Sequence, residues 1–160
     1  MIFVSLGSQK FPFDRLLKAL DEQVMNEQIK DEIFAQTGYS NYVPAHYDHV
    51  DFLDNDRFLE KIAECQIVIC HGGTGAITSA LKKGKKVIAV PRLAAYGEHV
   101  DDHQRQICEE FAELDLIMTT DELDKLPELI DEIKGRTFAT YQSNTATIIA
   151  SIEDYIDNGR

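Results

Sequence analysis

The stretch Ile67-Val-Ile-Cys-His-Gly-Gly-Thr-Gly-Ala-Ile-Thr-Ser-Ala-Leu81 decides the fold. Ile67 to Cys70 is a short apolar run that reads as a buried strand. Gly72, Gly73 and Gly75 around Thr74 form a glycine-rich turn. Ala76, Ile77, Ala80 and Leu81 then fall at helical spacing. A strand, a glycine turn and a helix start together make an anion site, because the first N–H groups of a helix lack internal partners and carry partial positive charge. Glycines let a phosphate approach those groups closely. The stretch therefore points to a ligand with a phosphate or diphosphate.

Outward from this unit, strands and helices alternate. Ile2 to Leu6 reads as a first strand, followed by the turn Gly7-Ser8-Gln9-Lys10. Pro12 suits a first helical turn, and Phe13, Leu16, Leu17, Leu20 and Val24 form a helical stripe. Glu32 to Gln36 reads as a second strand, Gly38 to His49 as a loop, and Val50 to Leu53 as a third strand. Asp54 or Asn55 caps a helix carrying Phe58, Leu59, Ile62 and Ala63. The glycine-turn helix runs from about Thr74 to Lys83 and stops at Gly84. Val87 to Val90 is a fifth strand, closed by Pro91. A polar loop from Arg92 to about Val100 leads into a helix through Glu113, and Leu116 to Met118 is a sixth strand. Helices near Leu123 to Ile133 and Asn144 to Ile156 follow. This order predicts an α/β, Rossmann-like, doubly wound domain over residues 1–160, with a mostly parallel sheet of about six strands. Ligands of such sheets sit beyond the carboxyl ends of the strands.

Composition narrows the function. The 160 residues suit one domain with a full core. A net charge of −12 disfavours nucleic acid as a partner. No apolar run approaches the ~20 residues that span a bilayer. The opening Met1-Ile-Phe-Val-Ser-Leu-Gly7 has neither a basic start nor a long apolar region, so no signal peptide is expected. Cys65, Cys70 and Cys108 show no metal-ligand spacing and read as reduced, buried thiols of a cytoplasmic protein.

Three loops share the ligand edge of the predicted sheet. The first, Gly7-Ser8-Gln9, offers backbone donors or is a plain connector. In the second, His71 to Gly75, Thr74 is a ligand contact or a helix cap, and His71 donates to a phosphate or satisfies a buried carbonyl. The third runs from Pro91 and Arg92 through Tyr96, Gly97, Glu98, His99, Asp101, Asp102 and His103 to Gln104. His103 and Gln104 can hydrogen-bond sugar hydroxyls, and Glu98, Asp101 and Asp102 can accept from them. The acids and histidines here match no common metal-ligand spacing, so no metal is expected. Gly73-x-Gly75-x-x-Thr78 is a defective dinucleotide fingerprint without its third glycine. The next strand ends in Pro91-Arg92 rather than an acid, which makes NAD(P) binding a weaker alternative.

Gly7-Ser8-Gln9 with Phe13 to Leu17, His71 to Gly75, Gly84 to Arg92, and Tyr96 to Gln104, in this order, resemble the donor-binding half of family 28 glycosyltransferases. Within that family the likeness is to the catalytic subunit of the two-part eukaryotic transferase that adds the second N-acetylglucosamine to a dolichol-linked sugar. Tyr96 to Gln104 resembles the bacterial branch that acts in capsule and exopolysaccharide synthesis. The resemblance implies one half of a GT-B enzyme and a UDP-sugar donor, used as substrate with no further cofactor. It implies that Gly7, Ser8, Gln9, His71, Gly72, Gly73, Thr74 and Gly75 cradle the diphosphate. By it Asp102, His103 and Gln104 contact the donor sugar, with Glu98 and Arg92 beside them. Many relatives carry a glutamate for the uridine ribose where this chain has Ser79.

The resemblance also implies inverting transfer, an acceptor half on a membrane-anchored partner subunit, and a lipid-linked saccharide acceptor. The chain would then lie at the cytoplasmic face of the plasma membrane through its partner. His71, His99 and His103 are candidates for the base, which the partner can equally supply. The apolar stripe Ile148, Ile149, Ile152, Tyr155 and Ile156 or the Tyr39 to Tyr47 loop could dock that partner. A non-catalytic nucleotide-sugar-binding accessory subunit would keep the same loops. The donor class has a direct test in thermal shifts with UDP and NADPH. UDP at 100 times its dissociation constant is expected to add roughly 2.7 kcal/mol, whereas a shift with NADPH alone would favour a dehydrogenase.

Overall fold

The computed structural model describes residues 1–7 and 10–142. Its sheet has six strands in the order β3-β2-β1-β4-β5-β6, and every pair is parallel. The strands are β1 (Ile2–Ser5), β2 (Ile33–Gln36), β3 (Asp48–Val50), β4 (Ile67–His71), β5 (Lys86–Val90) and β6 (Met118–Thr119). The helices between and after them are α1 (Asp14–Met25), α2 (Asn55–Glu64), α3 (Thr74–Lys82), α4 (His103–Glu113) and α5 (Leu126–Lys134). This is the doubly wound architecture the alternation predicts. The order reverses between β1 and β4, which opens a crevice at the carboxyl ends of those strands.

Successive side chains of a strand point to opposite faces, and both faces here are buried. Ile2, Val4, Ile67, Ile69, Ile88 and Val90 pack with Leu16, Leu17 and Leu20 of α1 and Ile130 and Ile133 of α5. Phe3, Val68, Cys70, Val87 and Ala89 pack with Ile62 of α2, Ile77 and Leu81 of α3, and Ile107 and Phe111 of α4. Each such Ile or Leu, fully buried, contributes about 1.5–3 kcal/mol. Cys65, Cys70 and Cys108 are free and buried in this core. Burial pushes all three thiols up from their ordinary value, which removes them as nucleophiles.

The structure corrects several boundaries. β3 is Asp48–Val50 rather than 50–53. It is an edge strand pairing only with β2, through Phe34 with Asp48 and Gln36 with Val50, so its polar residues gave no apolar signal. β6 begins at Met118, later than expected. Leu116 and Ile117 are buried in the core before pairing starts. Pro12 precedes α1, whose cap position is Phe13. The predicted helix at 144–156, with its apolar stripe, lies outside the described residues.

The Tyr39 to Tyr47 loop is fastened to α1. Asp14 Oδ1 accepts from the N–H groups of Asn41 at 2.6 Å and Tyr42 at 2.9 Å. Asp21 is 2% exposed. It accepts from the Tyr42 hydroxyl at 2.7 Å, Ala45 N–H at 3.0 Å and His46 N–H at 2.8 Å, with the His46 ring at 3.0 Å. Burial pushes the Asp21 carboxyl upward, but these hydrogen bonds outweigh it and hold it below its ordinary 3.8. Asp21→Asn is expected to cost roughly 2–4 kcal/mol at neutral pH by leaving buried donors unmatched. A depressed folded value means the carboxylate stabilises fully above its unfolded value, and that contribution fades as pH falls through the folded one. Urea unfolding of both proteins from pH 7 downward therefore shows a gap that narrows below about pH 4.

Candidate functional site

The switch-point crevice holds a cavity of about 590 Å³, lined by Ser5 at the end of β1 and Gly7 after it, Gln36 of β2, Leu53, Asn55 and Phe58 around the start of α2, and His71, Gly73, Thr74, Gly75, Ala76 and Ser79 of the β4–α3 unit. Its size suits a small-molecule ligand. The two helices that open onto it start differently. α2 is capped by Asp54, which accepts from Arg57 N–H at 2.9 Å. α3 has Gly73 at its cap position and so no capping side chain. The start of α3 thus brings no capping carboxylate of its own to oppose an anion.

The His71 ring is packed between glycines. A Cβ on Gly7, whose φ is +73°, would lie 2.6 Å from His71 Nε2, and a Cβ on Gly73 would overlap His71 Cε1. Burial, then the nearby Arg92 and His99 charges, push the His71 imidazole down to about 3, so it is neutral at any physiological pH. Gln104 is 3% exposed. Its Oε1 accepts from Gly72 N–H at 3.1 Å and Arg92 N–H at 3.0 Å, and its Nε2 lies 3.4 Å from His71 Nδ1.

Of the residues expected from sequence, the cavity brings together Gly7, His71, Gly73, Thr74 and Gly75. Ser8 and Gln9 lie outside the described residues. Gly72 is buried behind the turn, where a Cβ would stand 2.9 Å from Gln104 Cβ and Cys108 Sγ. Arg92 is 1% exposed. Its Nη2 donates to Leu6 O at 2.7 Å and Phe11 O at 3.4 Å, with its guanidinium 5.2 Å from the centre of the Phe13 ring. Burial pushes Arg92 down to about 10, against the pull of Glu98. Arg92 thus props the loop after β1 from below.

The third loop is tied internally. Glu98 forms a two-pronged ion pair with Arg15, both contacts 3.0 Å, and accepts from Leu93 N–H at 3.1 Å. Tyr96 covers Arg15, its ring centre 4.3 Å away. Asp102 Oδ1 accepts from Ala94 N–H at 2.8 Å. Among the described residues, His99, Asp101 and His103 form the group that could hold a metal ion, with ligand atoms within 4.8 Å. In sequence these residues stood among the acids and histidines that match no common metal-ligand spacing. Asp101 Oδ1 also accepts from His103 N–H at 3.1 Å and pairs with the His103 ring, closing the turn into α4. His99 stacks on Phe11 with ring centres 5.1 Å apart, and burial holds its imidazole below the ordinary value. Of the three base candidates, only His71 lines the cavity.

Ser5, Gln36, Leu53, Asn55, Phe58, Ala76 and Ser79 complete the wall. Gln36 and Asn55 carried no signal in sequence, because only the strand order places β2 beside β1. Ser79 donates to Gly75 O at 2.7 Å and keeps its hydroxyl on its own helix.

Comparisons with known proteins agree with this fold. The family model described as glycosyltransferase family 28 C-terminal domain matches residues 1–158. The chain is 30% identical over 97 residues to the UDP-N-acetylglucosamine transferase subunit ALG13 of Candida glabrata, covering 61% of this chain and 40% of that protein. Among solved structures, the glycotransferase of kitacinnamycin superposes with a TM-score of 0.62 at 16% identity, over 98% of this chain and 39% of that one. MurG of Acinetobacter baumannii gives a TM-score of 0.57 at 20% identity, over 98% of this chain and 49% of that one. The chain thus spans less than half the length of these relatives.

The two glycines beside Thr74 separate folding from binding. Gly73→Ala drives a methyl into the His71 ring and is expected to destabilise by roughly 1–3 kcal/mol. A Cβ at Gly75 meets nothing within 4 Å, so Gly75→Ala is expected to keep full stability yet bind UDP more weakly by narrowing the anion approach. Chemical denaturation and calorimetric UDP titration of both variants check this.

Proposed function

Since this chain belongs to the glycosyltransferase family 28 C-terminal domain family, we propose that it binds a UDP-sugar in the switch-point cavity and acts as the donor half of an inverting glycosyltransferase. The observation that carries this reading is the glycine-capped start of α3 opening into that cavity beside a neutral His71. The diphosphate lies against the N–H groups of α3. The acceptor hydroxyl oxygen bonds to the anomeric carbon while the bond from that carbon to the diphosphate oxygen breaks. The electron pair leaves with UDP, where fixed N–H dipoles meet the growing charge without reorganising. A base takes the acceptor proton as the new bond forms. Gly7 to Gln9 and the Glu98 to Gln104 loop frame the donor, the first at the phosphates and the second at the sugar.

The acceptor half comes from a membrane-anchored partner that presents a lipid-linked saccharide, and the pair works in bacterial exopolysaccharide or capsule synthesis. One finding supports this: the relative from Candida glabrata is named as a subunit. Among the described residues no helix is long and apolar enough to cross a membrane. The test mixes the purified chain, a labelled UDP-sugar panel, and membranes from cells lacking this chain. Transfer to lipid is expected only when chain and membranes are combined. Full transfer by the chain alone to purified lipid-linked acceptor would remove the partner from the reading. UDP binding without transfer in any combination would favour a non-catalytic accessory subunit.

A further inference from the structure

The histidine on the cavity wall does not choose its own proton. Gln104 Oε1 accepts from two backbone N–H groups, Gly72 at 3.1 Å and Arg92 at 3.0 Å. Both partners can only donate, so the amide oxygen is fixed on their side. The amide nitrogen is thereby turned to His71 Nδ1, 3.4 Å away. An amide NH₂ donates and has no lone pair to offer. Nδ1 must accept, and a neutral imidazole with an accepting Nδ1 carries its hydrogen on Nε2. Moving that hydrogen to Nδ1, or adding a second one, would set N–H against N–H in a buried space.

Nε2 lies on the cavity side. A side chain at Gly7 would close it off, since a Cβ there would stand only 2.6 Å away, and the ring lines the cavity together with Gly73 and Thr74. No acceptor among the described residues meets Nε2. Arg92 from the end of β5 and His99 from the loop before α4 face the same ring and oppose a second proton.

We infer that Gln104 is a positioning residue that locks His71 as the neutral Nε2–H tautomer, making His71 a hydrogen-bond donor to a phosphate oxygen of the ligand and excluding it as the base for sugar transfer. The identity of that acceptor rests on the donor-pocket reading, whereas the lock rests on Gln104 alone. Both ring nitrogens are committed, one to Gln104 and one to the ligand, so neither can take the acceptor's proton. The base therefore stands elsewhere, at the acceptor side of the cleft.

Long-range ¹H–¹⁵N correlation spectra of the ¹⁵N-labelled chain read each imidazole nitrogen, and loss of one set in His71→Asn assigns the signals. The ligand-free wild type is expected to show a protonated Nε2 and a bare Nδ1 at His71. In the isosteric Gln104→Glu a carboxylate oxygen replaces the amide nitrogen, so the hydrogen is expected to move to Nδ1, with UDP binding about tenfold weaker. A wild-type ring protonated on Nδ1, or on both nitrogens at neutral pH, overturns the lock. So does a Gln104→Glu ring unchanged from wild type. The wild-type spectrum decides even if that variant does not fold. A correct wild-type tautomer whose Nε2 signal ignores millimolar UDP overturns the phosphate contact and counts against the donor pocket, with the lock intact.

Discussion

Gln104 Oε1 receives two backbone N–H groups, one from the turn after β4 and one from the end of β5, and the ligand edge of the sheet is assembled around that acceptor. The residue sits in the first turn of α4. α4 comes close enough to supply it only because Gly72 has no side chain, since a Cβ there would strike Gln104 and Cys108. Arg92 continues the chain of contacts. Its N–H goes to Gln104 and its guanidinium runs under the loop after β1 to Leu6 O and Phe11 O. Glu98 closes the circuit by pairing with Arg15 of α1. The buried guanidinium and carboxylate are thus used to set loop positions. Such groups are costly to bury unless hydrogen-bonded, which makes the arrangement of these loops specific.

Much of this was legible in sequence. Period and punctuation located α1 to α5 and the four central strands, because those strands are apolar on both faces and the glycines mark real turns. The starts of the two edge strands were displaced by two residues along the chain. Their pairing residues, such as Asp48 and Thr119, are partly exposed and carry little apolar signal. The glycine turn was readable because its function is in the backbone. The third loop was harder. Glu98, Asp102 and Gln104 look like sugar-binding groups in sequence, yet their polar atoms are engaged by Arg15, Ala94, Gly72 and Arg92. Sequence shows which side chains can hydrogen-bond but not whether the protein has already used them. Asn55 and Gln36 were invisible for the opposite reason. Their types are ordinary and only topology brings them to the cavity.

The cavity also handles charge in a way that composition obscures. The chain carries a net charge of −12, but among the described residues no Lys, Arg, Asp or Glu lines the cavity. Arg92 lies beneath the first loop, donating through Nη2 to Leu6 O and Phe11 O, and Arg15 is paired with Glu98. Attraction for an anion therefore comes from dipoles. Two helix starts compete for it, α2 at Asn55 and α3 at Thr74. The positive end of α2 is already matched by the Asp54 carboxylate, which repels a second anion. The positive end of α3 has Gly73 at its cap position, which brings no carboxylate. A phosphate entering this cavity is thus driven to the α3 end, beside His71. The uncharged remainder of the ligand is left the apolar wall of Leu53 and Phe58. This asymmetry sets the α3 end apart as the anion-favouring side of the cavity and the Leu53 and Phe58 side as its apolar one.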